Sequence, residues 1–521
     1  MEFQIPNFLP AAPEITVAIL GLLGLVVVAL SRQGTRASFW LVQLALWAGA
    51  ILSLTLGRNP GEFMAALQPE GRLTELLLNP GQAFAVWLGS SLPVQTFSQL
   101  YVTDPLGELL KAASCIAVSL GLVYGRRYLR QRGLETGEYY LLVLFATLGV
   151  MVLASAGSLL SLYIGLELLS LASYALVAIN RDSLPSTEAA MKYFVLGALA
   201  SGLLLYGLSM VYGATHTLAI GELMALMDTP GEINQTVLLF GLVFVVAGIA
   251  FKLGAVPFHM WIPDVYEGAP SSVTLFLASA SKLAAFAMAC RLLAQGMWAL
   301  VEHWKLMLLF AGCASIILGN LAAIAQTNLK RMLAYSGISH MGFMLLGFAA
   351  SLPGMTGNAY SAALFYMLTY VLSTLAGFGV LLLMAREGFE SDQLEDFKGL
   401  NQRNAWWAAM MAIVMFSMAG IPFFIGFFAK FFVLQTVWQA GYTYVAVLAV
   451  LMSLIGAFYY LRVVKLMYFD APAADLPPVA ASCRMSGGLL SANALSLALF
   501  GLFPAALLQV CTVVVQVSMA P

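Results

Sequence analysis

The segment Gly248-Ile-Ala-Phe-Lys-Leu-Gly-Ala-Val-Pro-Phe-His-Met-Trp261 places a lysine inside a long apolar run, just before a glycine and a proline. Proline lacks an amide hydrogen and its ring clashes with the preceding turn, so the helix is expected to kink or open about one turn from Lys252. Gly254 adds conformational freedom at the same point. Carbonyls freed at membrane depth are tolerated only where they meet protein or water. The segment therefore predicts a broken transmembrane helix that carries a buried lysine.

The composition outside this segment is that of an all-α integral membrane protein. Of the 521 residues, 61% are hydrophobic and only 9% are charged, whereas about 25% of the residues of a soluble domain are charged. A membrane span requires roughly 20 mostly apolar residues, and about fourteen such segments are predicted. Their bounds are 13–31, 38–57, 103–124, 137–156, 158–179, 189–213, 236–258, 271–294, 305–326, 331–351, 359–385, 405–434, 441–468 and 486–510.

The distribution of basic residues predicts how these spans are oriented. Internal loops carry an excess of lysine and arginine, and with the N-terminus outside, fifteen basic residues fall on the internal side and four on the external side. This asymmetry predicts an even number of spans with both termini outside. Glu2 stands where a signal peptide would have basic residues, so the first apolar run is expected to remain as a span. Residues 58–102 are predicted to form a long external loop.

A second helix break is predicted at Ala419-Gly-Ile-Pro-Phe423, which repeats the pattern of residues 254–258. Gly420 and Pro422 correspond to Gly254 and Pro257 as the residues that interrupt the helix. The two breaks lie in the seventh and twelfth spans, five spans apart, and a repeat with an odd number of helices must invert its topology. Inverted repeats with broken helices are typical of transporters, whose sites lie near the middle of the membrane.

Four ionisable residues lie deep in predicted spans: Glu167, Lys252, Lys282 and Lys430. A charged side chain at the centre of a membrane helix costs about 2.5–3.5 kcal/mol, so these groups must pair, contact water or become neutral. Glu167 is the one acidic residue predicted at this depth. Structural ion pairs between helices are an alternative interpretation, but three lysines exceed the single glutamate.

Three further residues have open interpretations. His340 in the tenth span either relays protons, as histidine does near neutral pH, or is a hydrogen-bonded core residue. Lys192 either joins the buried lysines or extends its ammonium group to the membrane interface. Lys111, one turn after Glu108, is predicted to be solvated at a helix end.

The motifs for metals, nucleotides and nucleic acids are missing from the sequence. No two of the five cysteines are spaced as a C-x-x-C ligand pair, which argues against a zinc or iron–sulfur site. No glycine-rich dinucleotide turn and no Walker loop occurs. The net charge of −1 gives no indication of nucleic-acid binding. No metal and no cofactor is therefore predicted in this chain.

The chain resembles the antiporter-like membrane subunits of respiratory complex I, the proton-pumping NADH:quinone oxidoreductase. The resemblance covers roughly residues 100–510. It is carried by Gly165-Leu-Glu-Leu-Leu169, Ala190-Met-Lys-Tyr193, Phe251-Lys-Leu-Gly-Ala-Val-Pro-Phe-His-Met-Trp-Ile-Pro-Asp-Val-Tyr-Glu-Gly-Ala-Pro270, Gln326-Thr-Asn-Leu-Lys-Arg331, Ser336-Gly-Ile-Ser-His340 and Gly420-Ile-Pro422. Lysine at position 430 is typical of subunits N and L rather than M. The lack of a long lateral C-terminal helix argues against L, so the chain is most similar to bacterial subunit N.

The resemblance implies an architecture and residue roles. It implies fourteen helices, with helices 7 and 12 broken and two inverted five-helix repeats formed by helices 4–8 and 9–13. The corresponding regions are an N-terminal region 1–136, the repeats 137–294 and 303–468, and a C-terminal helix in 486–521. It implies that Glu167 pairs with Lys252, that Lys282 is the central relay lysine, and that Lys430 lies toward the outlet.

The resemblance also implies a function within a larger enzyme. Protons would move outward through the buried residues, driven by redox chemistry at FMN, iron–sulfur clusters and quinone in partner subunits. The expected partners are antiporter-like subunit M, small subunits such as K and J, and the lipids of a bacterial inner membrane, with both termini on the periplasmic side. Two alternatives remain: a subunit of an Mrp-type cation/proton antiporter, and a membrane scaffold that conducts nothing.

Overall fold

Thirteen helices in the described part of the chain are long and apolar enough to cross a membrane. A computed structural model describes residues 6–31, 34–56, 80–90, 93–227, 234–352, 356–472 and 484–519. The pair of apolar helices Ala405–Ala419 and Ile425–Gln439 forms one further, interrupted span. The prediction of an all-helical membrane protein with about fourteen spans is therefore confirmed.

The spans follow one another along the chain, and the longest connection, between the second and third spans, includes residues that the structure does not describe. Their bounds in chain order are Ala12–Leu30, Gly34–Thr55, Pro105–Gln131, Gly137–Ala154, Leu159–Val177, Leu184–Thr215, Gln235–Leu253, Ser271–Gly296, Val301–Ile324, Leu329–Ala349, Thr356–Met384, Ala405–Gln439, Thr443–Tyr468 and Arg484–Ser518. Span 8 is divided into Ser271–Ala278, Ala280–Ala289 and the π-helical turn Cys290–Gly296, and span 14 into Arg484–Leu502 and Pro504–Ser518. Short helices cover Pro80–Gly89, Ile220–Met227, Trp261–Gly268 and Leu400–Arg403.

Both predicted helix breaks are present, and a glycine begins each one. Gly254 and Gly420 have φ of 75° and 84°, in the left-handed region that closes many helices. After Gly254, the amide of Ala255 donates to Ala250 O at 2.8 Å; after Gly420, the amide of Ile421 donates to Phe416 O at 3.0 Å. Pro257 and Pro422 lie in the linkers that follow. Of the glycine and the proline predicted at each break, the glycine therefore ends the helix.

Glycine pairs among the described residues let neighbouring spans pack backbone against backbone. A Cβ at Gly149 would lie 2.8 Å from Gly165 O, and one at Gly165 would lie 3.1 Å from Gly149 O, where spans 4 and 5 meet. Gly312 and Gly342 have the same reciprocal distances, 3.1 and 2.8 Å, where spans 9 and 10 meet. Small residues permit such close contact between membrane helices, and here they fix two helix pairs in corresponding positions.

The two ends of the helix bundle differ in composition. One end, here called the basic end, holds Arg132, Arg331 and Arg462; Arg132 pairs with Glu390 at 2.8 Å. The other, here called the hairpin end, holds an antiparallel pair of strands, β1 (Val94–Thr96) and β2 (Tyr101–Thr103). Thr96 Oγ1 donates to Asn7 O and Leu106 N donates to Ser518 Oγ, each at 2.9 Å. The first and last described segments thus meet at the hairpin end, as an even number of spans requires.

The described part of the predicted external loop packs against the bundle. In helix Pro80–Gly89, an added Cβ at Gly81 would lie 2.5 Å from Ala506 Cβ, and Trp87 Nε1 donates to Leu54 O at 2.9 Å. This helix therefore covers the second helix of span 14. Residues 58–79 and 91–92 of the predicted loop lie outside the described residues.

Two basic residues at the hairpin end are buried, contrary to prediction. The side chain of Lys111 is 1% exposed and lies 3.0 Å from Glu14 Oε1 of span 1, so the predicted solvated helix end is wrong. Arg291, one of the four basic residues counted above on the external side, is 1% exposed in span 8 and pairs with Asp104 at 2.6 Å. Buried carboxylates at Glu14 and Asp104 stabilise both cations, and Glu167 is therefore not the only acidic residue enclosed by the spans.

Candidate functional site

Lys252 occupies the last turn of the helix that ends at the first break. Its ammonium group donates to Ser170 Oγ of span 5 at 2.7 Å. Ser170 in turn donates to Leu166 O at 2.6 Å, the carbonyl of the peptide bond that joins Leu166 to Glu167. A lysine and a glutamate are thus linked through a serine and the backbone of span 5.

Glu167 bonds to a different span. The hydroxyl of Ser201 in span 6 donates to Glu167 Oε1. No carboxylate oxygen of the described residues lies within 4.0 Å of Lys252 Nζ. The direct Glu167–Lys252 ion pair implied by the resemblance is therefore absent from this structure. The two charges lie near each other, because Glu167 and Ser170 are neighbours on one face of span 5.

Lys282 lies on the other side of the first break. It is 1% exposed, and its ammonium group donates to Leu253 O at 2.8 Å and to Lys252 O at 3.2 Å. These are carbonyls that the interrupted helix leaves without backbone partners, and the C-terminal end of a helix favours a positive charge. The ammonium group also lies 5.2 Å from the centre of the Trp261 ring, whose face attracts cations.

Lys430 repeats this arrangement at the second break. It is 8% exposed. Its ammonium group donates to Ala419 O at 2.9 Å and to Ser453 Oγ at 3.0 Å, and lies 5.5 Å from the centre of the Phe343 ring. Within the described residues, neither Lys282 nor Lys430 has a carboxylate oxygen within 4.0 Å. Lys282 is thus held by two carbonyl oxygens and an aromatic face rather than by a counter-ion, and Lys430 by one carbonyl oxygen, a serine hydroxyl and an aromatic face.

His340 is joined to two tyrosines in the core of the second half. Its Nδ1 lies 2.7 Å from the Tyr366 hydroxyl and its Nε2 lies 3.0 Å from the Tyr460 hydroxyl. Tyr460 also bonds to the Ser336 hydroxyl. Each of these four side chains is able both to donate and to accept a hydrogen bond, so the hydrogen-bonded row can pass a proton in either direction.

A small cavity separates His340 from the turn that carries Lys430. Its volume is ≈ 10 Å³, close to the smallest space that holds one water. Thr369 and Ser417 contribute hydroxyls that have no hydrogen-bond partner among the described residues, and Ala429 lies directly before Lys430. A water here would have polar partners on two sides.

Lys192 lies apart from these residues. Its side chain is 42% exposed and pairs with Glu188 and Asp264, each at 2.8 Å. Arg331 completes the cluster with contacts to Asp264 at 2.8 Å and Glu267 at 2.7 Å. These groups line an open cavity of ≈ 470 Å³ at the basic end. Lys192 thus belongs to a partly exposed ion-pair cluster and not to the buried lysines.

The structure therefore forms two groups from the predicted residues. One contains Glu167, Lys252 and Lys282, and the other contains His340 and Lys430. In the part of the chain that is described, no hydrogen bond joins Lys282 to His340. The sequence analysis did not identify the serines and tyrosines that bond to these residues. In the sequence, such a serine or tyrosine is marked only by being a polar side chain within an apolar span. Nor does any set of three or more His, Cys, Asp or Glu side chains among the described residues form a metal site.

Residues 156–456 match a family model described as NADH:quinone oxidoreductase/Mrp antiporter, transmembrane. This match covers more than half of the chain. The chain belongs to the NADH:quinone oxidoreductase/Mrp antiporter family. The resemblance drawn from the sequence motifs is confirmed.

Other members of the NADH:quinone oxidoreductase/Mrp antiporter family agree along the whole length. The chain is 53% identical over 525 residues to NADH-quinone oxidoreductase subunit N of an Azoarcus species, covering 100% of both chains. A chain of Thermus thermophilus respiratory complex I superimposes with a TM-score of 0.73 at 29% identity, covering 95% of this chain and 98% of that one. A chain of the Mrp complex from a Dietzia species superimposes with a TM-score of 0.78 at 20% identity, covering 98% of both chains. This superposition shows that the two chains share a fold.

Proposed function

We propose that this chain is the N-type antiporter-like subunit in the membrane arm of a bacterial NADH:quinone oxidoreductase and that it translocates protons. The observation that carries the proposal is the pair of buried lysines, Lys282 and Lys430, each held at the carbonyl end of a broken helix without a counter-ion. A lysine in this setting can alternate between the charged and neutral forms, because neither form has a fixed partner charge. The 53% identity to a subunit N supports the assignment within the family.

The proposed proton path runs through both groups of residues. The coupling step is a movement of Lys252 between Ser170 and Glu167. Two opposite charges about 4 Å apart interact by about 4 kcal/mol at an effective dielectric near 20, which is enough to decide whether Lys252 keeps its proton. A proton released by Lys252 would pass through water to Lys282, and from there past His340 to Lys430.

The two halves of the chain are proposed to be inverted repeats, formed by spans 4–8 (within residues 137–294) and spans 9–13 (within residues 303–468). Two correspondences support this. Spans 7 and 12 are each interrupted by a glycine in the left-handed region. Spans 4 and 5 meet through Gly149 and Gly165, as spans 9 and 10 meet through Gly312 and Gly342.

The rest of the enzyme is proposed to supply the redox chemistry. FMN, iron–sulfur clusters and quinone would be held by partner subunits, and antiporter-like subunit M with small subunits such as K and J would contact this chain in the membrane. The basic end would face the cytoplasm and the hairpin end, with both termini, the periplasm, since internal loops carry the excess of arginine and lysine.

The test is proton pumping measured beside NADH:quinone turnover in membranes that carry Lys252→Met, with assembly checked on the purified complex. Lys465→Met serves as the control, because this lysine is 62% exposed at the end of span 13. Loss of pumping in Lys252→Met alone supports the proposal. Parental pumping in both variants refutes it and favours a scaffold, and purification without flavin-containing partners favours an Mrp-type antiporter subunit.

A further inference from the structure

Ser170 lies where the partner carboxylate of Lys252 is expected. Its side chain is 1% exposed, and its oxygen accepts from the Lys252 ammonium group at 2.7 Å while its hydroxyl hydrogen is directed to Leu166 O at 2.6 Å. Both hydrogen-bonding roles of the serine are thus occupied. Lys252 has no other acceptor within hydrogen-bond distance among the described residues. The serine alone fixes the position of this ammonium group.

A second serine holds the glutamate in the same way. Ser201 donates to Glu167 Oε1, and Tyr163, one turn before Glu167, contacts Ser201 Oγ at 3.4 Å. The carboxylate is therefore bonded toward span 6, while the ammonium group is bonded one turn further along span 5. One turn of an α-helix is about 5.4 Å, so a shift of the lysine by about this distance would bring it from Ser170 to Glu167.

We infer that Ser170 is a positioning residue that holds Lys252 away from Glu167, with Ser201 holding the carboxylate in the opposite direction. The inference rests on the proposed function, because it assigns Ser170 to the coupling step of that proton path. The serine provides a neutral acceptor that the ammonium group can leave and regain. A permanent ion pair would trap the lysine in the charged state, whereas a serine bond of moderate strength leaves both positions accessible.

Span 5 offers a matched control at Ser173. This serine is also buried, and its hydroxyl donates to Leu169 O at 2.6 Å in the same way that Ser170 donates to Leu166 O. Of these two serines, only Ser170 bonds to a charged group. Replacing either by alanine removes the same atoms and the same backbone bond, so a difference between the two variants reports on Lys252.

The experiment compares Ser170→Ala, Ser173→Ala, Ser170→Thr and Lys252→Met in the complete, membrane-embedded complex. The measurement is proton pumping coupled to NADH:quinone turnover, normalised to assembled complex. Ser170→Ala is expected to lower coupled pumping by about tenfold, the loss typical of one hydrogen bond to a charged group. Ser173→Ala is expected to match the parent, and Ser170→Thr to recover most of the loss because it keeps the hydroxyl.

A double variant separates positioning from packing. If Ser170 acts through Lys252, adding Ser170→Ala to Lys252→Met lowers the residual turnover no further. The inference is overturned if Ser170→Ala equals Ser173→Ala, or if it lowers the residual turnover of Lys252→Met. If Lys252→Met pumps protons like the parent, the proposed function itself is refuted. If Lys252→Met loses pumping but Ser170→Ala pumps like the parent, only the role of the serine is refuted.

Discussion

The ammonium group of Lys430 lies 2.9 Å from the carbonyl oxygen of Ala419, the last residue of the helix that precedes the second break. Lys282 has the same relationship to Leu253 at the first break, at 2.8 Å. Both lysines therefore use the negative end of a helix dipole in place of a carboxylate. Among the described residues, neither lysine has a carboxylate oxygen within 4.0 Å.

Replacing Lys430 by methionine is expected to abolish most proton transfer while leaving the fold intact. Methionine fills a similar volume and adapts to irregular space, so the loss would come from the missing proton carrier. Proton carriers of this kind contribute about 10²–10⁴-fold to rates, and a decrease of at least about tenfold in coupled pumping is expected. Normal pumping by assembled Lys430→Met would exclude this lysine from the path.

Alanine at Gly254 or Gly420 is expected to disturb the neighbouring lysine. An added Cβ at Gly254 would lie 1.7 Å from Ile262 Cδ1 and 3.6 Å from Lys282 Nζ, and one at Gly420 would lie 3.0 Å from Lys430 Cδ. Both variants should reduce pumping and lower the thermal stability of the complex.

Gly441→Ala is the control for these two variants. Gly441 also has positive φ, at 87°, but an added Cβ would meet nothing within 4 Å. Its cost should be limited to backbone strain of about 1–2 kcal/mol. If all three glycine variants behave alike, strain rather than displacement of the lysines explains the effect.

Removing the hydroxyl of Tyr460 is expected to interrupt the row of hydrogen-bonded side chains at His340. Tyr460→Phe loses the contacts to His340 Nε2 and to Ser336, and leaves the imidazole with Tyr366 alone. Coupled pumping should fall by about tenfold. Tyr266→Phe provides the comparison, since Tyr266 is equally buried but donates only to Leu277 O, at 3.2 Å. Equal losses in both variants would point to packing.

The buried pair Glu14–Lys111 is expected to affect stability rather than pumping. Lys111→Met leaves the Glu14 carboxylate enclosed without its cation, a change that typically costs about 3–5 kcal/mol. Combining it with Glu14→Gln removes the charge and should restore much of the loss. Thermal dissociation of the purified complex measures both effects. If Lys111→Met alone is as stable as the parent, the Glu14–Lys111 pair contributes little to the stability of the complex.

The sequence predicts the spans and their breaks well, because both depend on local chemistry. Runs of about 20 apolar residues set the spans, and the glycine–proline patterns at Gly254 and Gly420 set the breaks. The prediction named both the glycine and the proline of each pattern, and the sequence could not show which of them ends the helix, because a proline after a helix end and a proline within a helix look alike.

The side-chain partners were much harder to predict, since they join residues far apart in the chain. Lys111 was expected in solvent because nothing near it indicates Glu14, which lies 97 residues earlier. The Glu167–Lys252 ion pair implied by the resemblance is replaced by Ser170 and Ser201, and serines are frequent in membrane helices. A periodicity of apolar residues locates a helix but does not determine which residues of another helix face it.

A lysine site made from peptide carbonyls has no acid–base chemistry of its own. If the proposed function holds, the amine is the one group at each site that exchanges a proton, so the number of protons held there does not depend on a second titrating group. The carbonyl acceptors are also independent of side-chain identity, because any amino acid at 253 or 419 supplies the same oxygen, whereas the second acceptor of Lys430 is the Ser453 hydroxyl. Single substitutions can remove the lysine or the serine or bend the backbone, but they cannot remove the carbonyl oxygens of residues 253 and 419.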